Sequence, residues 1–429
     1  MTRRPDAVVV GAGIVGAACA LALAREGLRV LVLEGGFAGG GATAAAMGHL
    51  VVMDDSEAQF ALTAWSLRLW AELAGELPPD CEDDPCGTLW LAAGEAEMER
   101  VAAKAGFYRA RGVAAEILDA AQLAAAEPRL RGGLAGALRV PGDRVIYPPN
   151  VVRFLLARAA DHGAELWERF WVSRVAGGVV EGHGERIAAP LVINAAGAAA
   201  PALTPGLPIV PRKGHLVITD RHPGFCRHQL VELGYLDSAH GRRREAGAER
   251  AGRAAAAGPE AAATATAADS AATVAAMPAS VAFNVQPRAT GQVLIGSSRE
   301  LVGWDRSHNH RLERRMLLRA LDFLPRLAGV AALRGWIGFR PATPDNLPLI
   351  GPWPEVPGLW IAGGHEGLGI TTSLATARLL ADLVTGRLPE IDAAPFAPDR
   401  WQAALPGSAA STGAAAGPSG GGYSRRAAL

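Results

Sequence analysis

Gly11, Gly13 and Gly16 stand in Gly-x-Gly-x-x-Gly spacing, and Glu34 follows about twenty residues later. The apolar run Val8–Val10 precedes the glycines, an apolar helical stretch follows them, and Leu28–Leu33 leads to Glu34. Strand, tight turn, helix and second strand in that order form a binding unit for an adenine dinucleotide. Gly11 permits the sharp turn, Gly13 lets a pyrophosphate approach the backbone, and Gly16 lets helix and strand pack closely. The helix start at Ile14 and Val15 offers N–H groups and a positive dipole end to phosphates. Glu34, followed by Gly35, suits the ribose hydroxyls, and its charge disfavours a 2′-phosphate. Arg3 and Arg4 before the uncharged run from Ala7 to Ala24 share the outline of a signal peptide. Glycines at three set positions do not suit the apolar centre of such a segment. The run is also too short and glycine-broken for a convincing membrane span, and nothing else in the sequence approaches one.

Two later clusters carry polar and charged side chains in ordered surroundings. Gly338-Phe339-Arg340-Pro341 is followed by Thr343 to Gly351, and Gly363 to Thr371 is a glycine-rich turn holding His365 and Glu366. The balance of 42 basic and 42 acidic residues gives no electrostatic case for nucleic acid or an anionic membrane. Cys19, Cys81, Cys86 and Cys226 are scattered without the spacing of a metal or iron–sulfur site, so no metal is expected. A reduced, cytoplasmic setting follows.

The elements that must position these groups alternate along 429 residues, a length that suggests two to three domains. Residues 1 to about 45 read strand–helix–strand. Asp55 to Leu77 reads as a helix whose Trp65, Leu69 and Leu73 stripe belongs to a core, and Asn150 to His162 as another. Leu191–Ile193 is a buried strand ending in Asn194-Ala195-Ala196-Gly197. Lys213–Thr219, Gln229–Leu236, Val281–Pro287 and Gln292–Ser297 read as strands of a mostly antiparallel sheet. Leu359–Ala362 runs into the second glycine turn, and an alanine-rich helix continues to about Val384. Between Gly241 and Ser280 large apolar residues nearly vanish, which reads as a disordered insertion whose Arg242-Arg243-Arg244 run is solvated surface. The tail over 406–429 reads likewise.

These motifs, with Gly40-Gly41-Ala42-Thr43, together resemble the D-amino-acid oxidase and glycine oxidase family of FAD-dependent oxidoreductases. The likeness spans nearly the whole chain except the insertion and the tail. Within the family, Arg340 to Gly351 and Gly364 to Thr371 look most like the bacterial D-hydroxyproline dehydrogenases, with opine-oxidase and cyanide-synthase subunits as neighbours. The resemblance implies an α/β (α+β) two-domain flavoprotein, with a Rossmann-like FAD-binding domain and a mostly antiparallel-sheet substrate domain. The flavin domain would take residues 1–50, 145–210 and 330–395, and the substrate domain 51–144 and 211–329. The implied reaction passes the substrate α-hydrogen as hydride to flavin N5.

The resemblance also implies roles. Arg340 matches the arginine that grips the substrate carboxylate, and a planar guanidinium suits a bidentate clamp. The helix starting near Ile370 and Thr371 offers backbone donors to the flavin N1 and O2 edge, and Gly364, Gly367, Leu368 and Gly369 shape its approach. Thr43, Met47, Gly48, Ala196 and Gly197 belong to the remaining cofactor surface. His49 lies in the loop that reaches the isoalloxazine, where a polar contact fits better than covalent attachment because the usual covalent motifs are absent. His365 and Glu366 occupy the flavin-edge loop; each either faces the substrate or serves structure. Some family oxidases carry arginine where Gly367 stands, so its absence implies a roomier pocket and argues against glycine itself. Asn284 replaces a pocket tyrosine of glycine oxidases, and Tyr235 and Gln286 are further pocket candidates. His215 sits on a strand entering the substrate sheet, with its side chain unplaced.

The preferred expectation is oxidation of a D- or cyclic amino acid, cis-4-hydroxy-D-proline foremost, by an enzyme whose partner is that small substrate. An oxidase subunit for opines, glycine or sarcosine is the alternative, and a non-catalytic flavin carrier in a hetero-oligomer a third. A homo-oligomer and a hetero-oligomer with an electron-transfer subunit both remain open.

Overall fold

The computed structural model describes residues 4–234 and 279–401. Tyr235, the expected tail at 406–429 and the expected insertion at 241–280, apart from residues 279 and 280, lie outside the described residues.

Val8, Val9 and Val10 belong to a four-residue strand buried on both faces, as near-continuous apolar runs in parallel sheets are. It lies inside a six-stranded sheet ordered Leu349–Pro352, Leu359–Gly363, Leu191–Asn194, Ala7–Val10, Val30–Leu33, Glu165–Trp167. All neighbours run parallel except the first pair. Ala7 and Val9 face a core shared with the helices Ile14–Arg25, Pro148–Asp161 and Gly369–Val384, whereas Val8 and Val10 face a second core. That second core is closed by Val172, Val175, Val180 and Ile187 of a three-stranded antiparallel sheet. The period-two alternation of one strand thus serves two layers, each buried aliphatic side chain contributing about 1.5–3 kcal/mol.

An eight-stranded sheet forms the other half. Its order is Ala332–Ala342, Val210–Thr219, Val293–Arg299, Ser280–Pro287, Gln229–Glu232, Thr88–Ala92, Gly136–Val140, Glu116–Asp119. Gln229–Glu232 pairs in parallel with Thr88–Ala92, and the other neighbours are antiparallel. The helix His310–Phe323 covers one face, with Phe323 stacked on Phe283 at 4.4 Å between ring centroids. The described residues thus form an α/β fold built around these two sheets.

Several expected bounds move for local reasons. The helix read over 55–77 runs Glu57–Leu73, because the Ser56 hydroxyl accepts from Gln59 N and caps its start, and a 3₁₀ turn at Ala74–Glu76 follows. The strand read over 229–236 stops at Glu232, and that read over 213–219 begins at Val210. The strand Ala332–Ala342, which the expected flavin segment 330–395 includes, is hydrogen-bonded into the eight-stranded sheet. Its register with Val210–Thr219 pairs Arg340 with Arg212 and Gly338 with Gly214.

Thr371 staples the final helix to the short strand His49–Leu50. Its hydroxyl donates to His49 O at 2.9 Å and accepts from Val51 N at 3.3 Å, while Trp70 Nε1 donates to Thr371 O at 3.0 Å. Thr371→Val keeps the shape but strands two buried backbone groups, at a cost of about 1–3 kcal/mol. We expect a Tm several degrees lower by circular dichroism; an unchanged Tm would show that the staple carries no stability.

Candidate active site

The chain turns at Gly11 with φ +104°, a conformation that a side chain would strain. A Cβ on Gly16 would lie 1.9 Å from Gly11 O, and one on Gly11 would lie 2.6 Å from Ala195 O. Strand, turn and helix therefore meet backbone to backbone. The helix Ile14–Arg25 begins there with no side-chain cap from Gly13. The Thr43 hydroxyl accepts from Ile14 N at 3.1 Å, which ties the following loop to the helix start. Glu34 ends the neighbouring strand, its carboxylate accepting from Ala12 N and Gly36 N, both at 2.8 Å.

A cavity of about 300 Å³ runs from this cradle to the junction of the two sheets. Among the expected residues, Gly11, Gly13, Ile14, Val15, Glu34, Thr43, Met47, Gly48, His49, Ala196 and Gly197 line it. Asn284, Arg340, His365, Glu366, Gly367, Gly369 and Ile370 line its far part. Five others stand elsewhere. Gly16 serves helix packing, as described, and Gly35 faces the Trp171 ring, 2.8 Å from where a Cβ would be. Gly364 backs onto Thr343, Thr371 is the staple above, and Gln286 is fully buried in the sheet, both its amide atoms without a hydrogen-bond partner among the described residues. Leu368 lines a second, smaller cavity instead.

At the far part, Arg340 comes from the strand Ala332–Ala342 and its Nη1 donates to Ser298 O at 3.0 Å. Its guanidinium lies over Gly214, where a Cβ would come within 2.2 Å of Nη1. Any larger residue at 214 would push the cation away. Gly367 approaches from the turn after the strand Leu359–Gly363, a Cβ there falling 3.6 Å from Arg340 Nε.

Glu366 is buried and held at φ +50°. It accepts from Arg212 Nη1 at 3.0 Å and lies 3.6 Å from Arg299 Nε. Both arginines are nearly inaccessible to solvent, and this carboxylate offsets part of the cost of burying their charge. The sequence reading missed Arg212 and Arg299. Arg212 stands before Lys213 and Arg299 between Ser298 and Glu300, so no apolar alternation marks the face either one takes.

His365 is buried, its Nε2 is 3.0 Å from Thr376 Oγ1, and burial lowers its pKa to about 3. Burial lowers His49 to about 3 as well. Both rings are neutral near pH 7, so neither supplies a cationic acid. His215 stands apart: its Nδ1 lies 2.9 Å from Ser298 Oγ and its Nε2 accepts from Asn309 N at 3.1 Å. Among the described residues, the three groups that could gather on a metal, His308, His310 and Glu313, lie outside this cavity.

A glycine-lined cradle at a helix N-terminus, with the Glu34 carboxylate beside it, defines a dinucleotide-binding site, with an arginine set beyond it. A family model described as FAD dependent oxidoreductase matches residues 6–383. A glycine oxidase of Pseudomonas aeruginosa is 30% identical over 410 residues, covering 91% of this chain and 98% of that protein. A D-amino acid dehydrogenase of Methylobacterium nodulans is 30% identical over 324 residues, covering 71% of this chain and 65% of that protein. The crystal structure of glycine oxidase from Geobacillus kaustophilus matches with TM-score 0.76 at 28% identity, covering 93% of this chain and 99% of that one. The chain belongs to the FAD dependent oxidoreductase family, and FAD is its cofactor. It is an enzyme of the amino-acid oxidase and dehydrogenase class. Among the described residues no helix is long and apolar enough to cross a membrane.

The two imidazoles bear on pH stability. Their folded-state pKa values lie below the ordinary 6.5, so the unfolded chain binds more protons between about 3 and 6.5. Their contribution is complete above pH 6.5 and is lost as pH falls through that window. Asp143, which burial raises to about 7, acts oppositely, its stabilising proton being lost as pH rises from 3.8 to about 7. We expect His365→Gln, which keeps a neutral partner for Thr376, to lose Tm less steeply than the parent between pH 6.5 and 4. Parallel slopes would show that His365 titrates freely.

Proposed function

We propose that the enzyme oxidises a D- or cyclic amino acid at its C–N bond, with cis-4-hydroxy-D-proline the best-fitting substrate and the pyrroline carboxylate its product. The observation that carries this reading is Arg340, a cation on the wall of the cavity, seated where Gly214 and Gly367 leave room for its guanidinium. A carboxylate meeting it forms paired charge-assisted hydrogen bonds, which orient the α-carbon as well as bind it.

Gly11, Gly13, Ile14 and Val15 would hold the pyrophosphate of FAD, Glu34 a ribose, and Met47–His49 with Gly369 and Ile370 the ring end. Bound FAD supplies the two-electron acceptor that takes the α-hydrogen as hydride at N5. The chain then needs no strong base. Glu366 is committed to Arg212 and Arg299, and His365 to Thr376, so both hold the loop rather than move a proton. The helix Gly369–Val384 directs its N-terminal dipole end at the cavity, where negative charge is favoured. Arg340 adds positive charge to the wall of that cavity, with Arg212 and Arg299 paired to Glu366 nearby. In a ring substrate the C=N product persists as the pyrroline.

A second reading, oxidation of glycine or a related small amine, is favoured by the 30% identity to the Pseudomonas aeruginosa glycine oxidase. Bare Gly367 and the presence of Asn284 in the wall support the larger, polar substrate. All four cysteines are free, which supports a reducing, cytoplasmic setting. Anaerobic bleaching of the purified flavoprotein by glycine, sarcosine, D-proline and cis-4-hydroxy-D-proline separates the readings. Arg340→Ala should retain flavin and lose ~100-fold in kcat/KM, about 2.7 kcal/mol. A loss within twofold would refute the carboxylate role.

A further inference from the structure

A second cavity of about 60 Å³ adjoins the first, and His49, Asn284, Glu366 and Gly367 line both. Its walls hold a concentration of polar atoms without partners. Gln59 Oε1, Trp90 Nε1, Gln229 Oε1, Asn284 Oδ1 and Asn346 Oδ1 are buried with no hydrogen-bond partner within the described protein, and so is His49 Nε2. The first five belong to side chains at least nine-tenths buried. Native interiors leave few such atoms, and their convergence on one small space is the mark of a binding surface rather than of core. They come from the helix Glu57–Leu73, from three strands of the eight-stranded sheet, from the short strand His49–Leu50 and from one loop, so no single local turn accounts for them.

The remaining lining sets the chemistry. Val51, Met53, Val231 and Leu368 supply apolar wall, suited to methylene groups. The charged side chains of the lining are Asp55, Arg299 and Glu366, and Arg212 binds Glu366 from outside the lining, so two basic residues balance two acidic ones. A net-neutral wall rich in amide oxygens suits a neutral group that both donates and accepts. It does not suit a second carboxylate or an ammonium.

We propose that this chamber is the side-chain subsite of the enzyme and that it selects amino acids ending in a neutral hydroxyl or carboxamide. The inference rests on the amino-acid oxidation proposed above. While Arg340 holds the carboxylate in the larger cavity, the substituent passes Gly367 and Asn284 into the smaller one. A substrate lacking the polar end leaves buried acceptors and donors unmatched there, which a site of this kind penalises strongly.

The test uses the wild-type holoenzyme and matched substrate pairs under anaerobic conditions, reading the rate of flavin reduction. The pairs are cis-4-hydroxy-D-proline against D-proline, and D-asparagine against the near-isosteric D-leucine. The polar member should exceed its apolar partner by at least ~30-fold in kcat/KM in one pair or both, and D-aspartate should not match D-asparagine. In Gln229→Leu, and independently in Trp90→Phe, the polar-to-apolar ratio should fall at least ~10-fold toward unity. A merely structural role for either residue would leave that ratio where it was. Either variant suffices if the other loses its flavin. Apolar partners reduced as fast as polar ones, or variants with unmoved ratios, would overturn the subsite while leaving amino-acid oxidation standing. Flavin that no amino acid in the panel bleaches would overturn the oxidation reading, and the subsite with it.

Discussion

The contact of Gly16 with the turn at Gly11 is the constraint around which the molecule is arranged. With no side chain on either residue, the helix Ile14–Arg25 seats directly on the strand end, and the strand Leu191–Asn194 closes in from the other side through Ala195 O. The first strand has parallel neighbours on both edges, Leu191–Asn194 and Val30–Leu33, and the order of the chain reverses there. A crevice opens at such a reversal, and the helix N-terminus points into it. Glu34, Thr43 and Ala196 reach the same crevice because each lies just beyond an element fixed by that packing.

The far side of the cavity is organised by charge. Arg212, Arg299 and Arg340 stand on three strands of the eight-stranded sheet, whereas Glu366 hangs from the loop leaving the six-stranded sheet. The ion cluster therefore joins the two sheets at the cavity wall. Burying Arg212, Arg299 and Glu366 is a poor route to stability, and its value lies in fixing one geometry. Here the geometry is the Arg340 guanidinium bounded by Gly214 and Gly367, with its companion arginines neutralised in part by the Glu366 carboxylate.

Local patterns in the chain announced the nucleotide half. Gly11, Gly13, Gly16 and Glu34 are close in sequence, so their spacing alone implies a strand, a turn and a helix. The second glycine turn, Gly363 to Gly369, was legible for the same reason. Legibility ended where partners are remote. Thr371 resembled a cofactor contact by position, yet its hydroxyl is occupied by His49 and Val51, more than three hundred residues away. Gly35 followed the acid that ends the second strand, but the Trp171 ring covers it. Arg212 and Arg299 went unnoticed because a strand residue's face depends on register with neighbours that the sequence does not name.

By itself the sequence determined that this chain folds around a dinucleotide and belongs among flavin-dependent oxidoreductases, since the residues responsible act within one turn or one strand–helix unit. Tertiary structure decided which side chains surround the substrate. The pairing of Arg340 with Arg212 and Gly338 with Gly214, the capture of Glu366, and the gathering of Gln59, Trp90, Gln229 and Asn284 into one chamber all depend on how distant segments pack. Backbone conformation follows from nearby residues, whereas the company a side chain keeps is set by strand order and register.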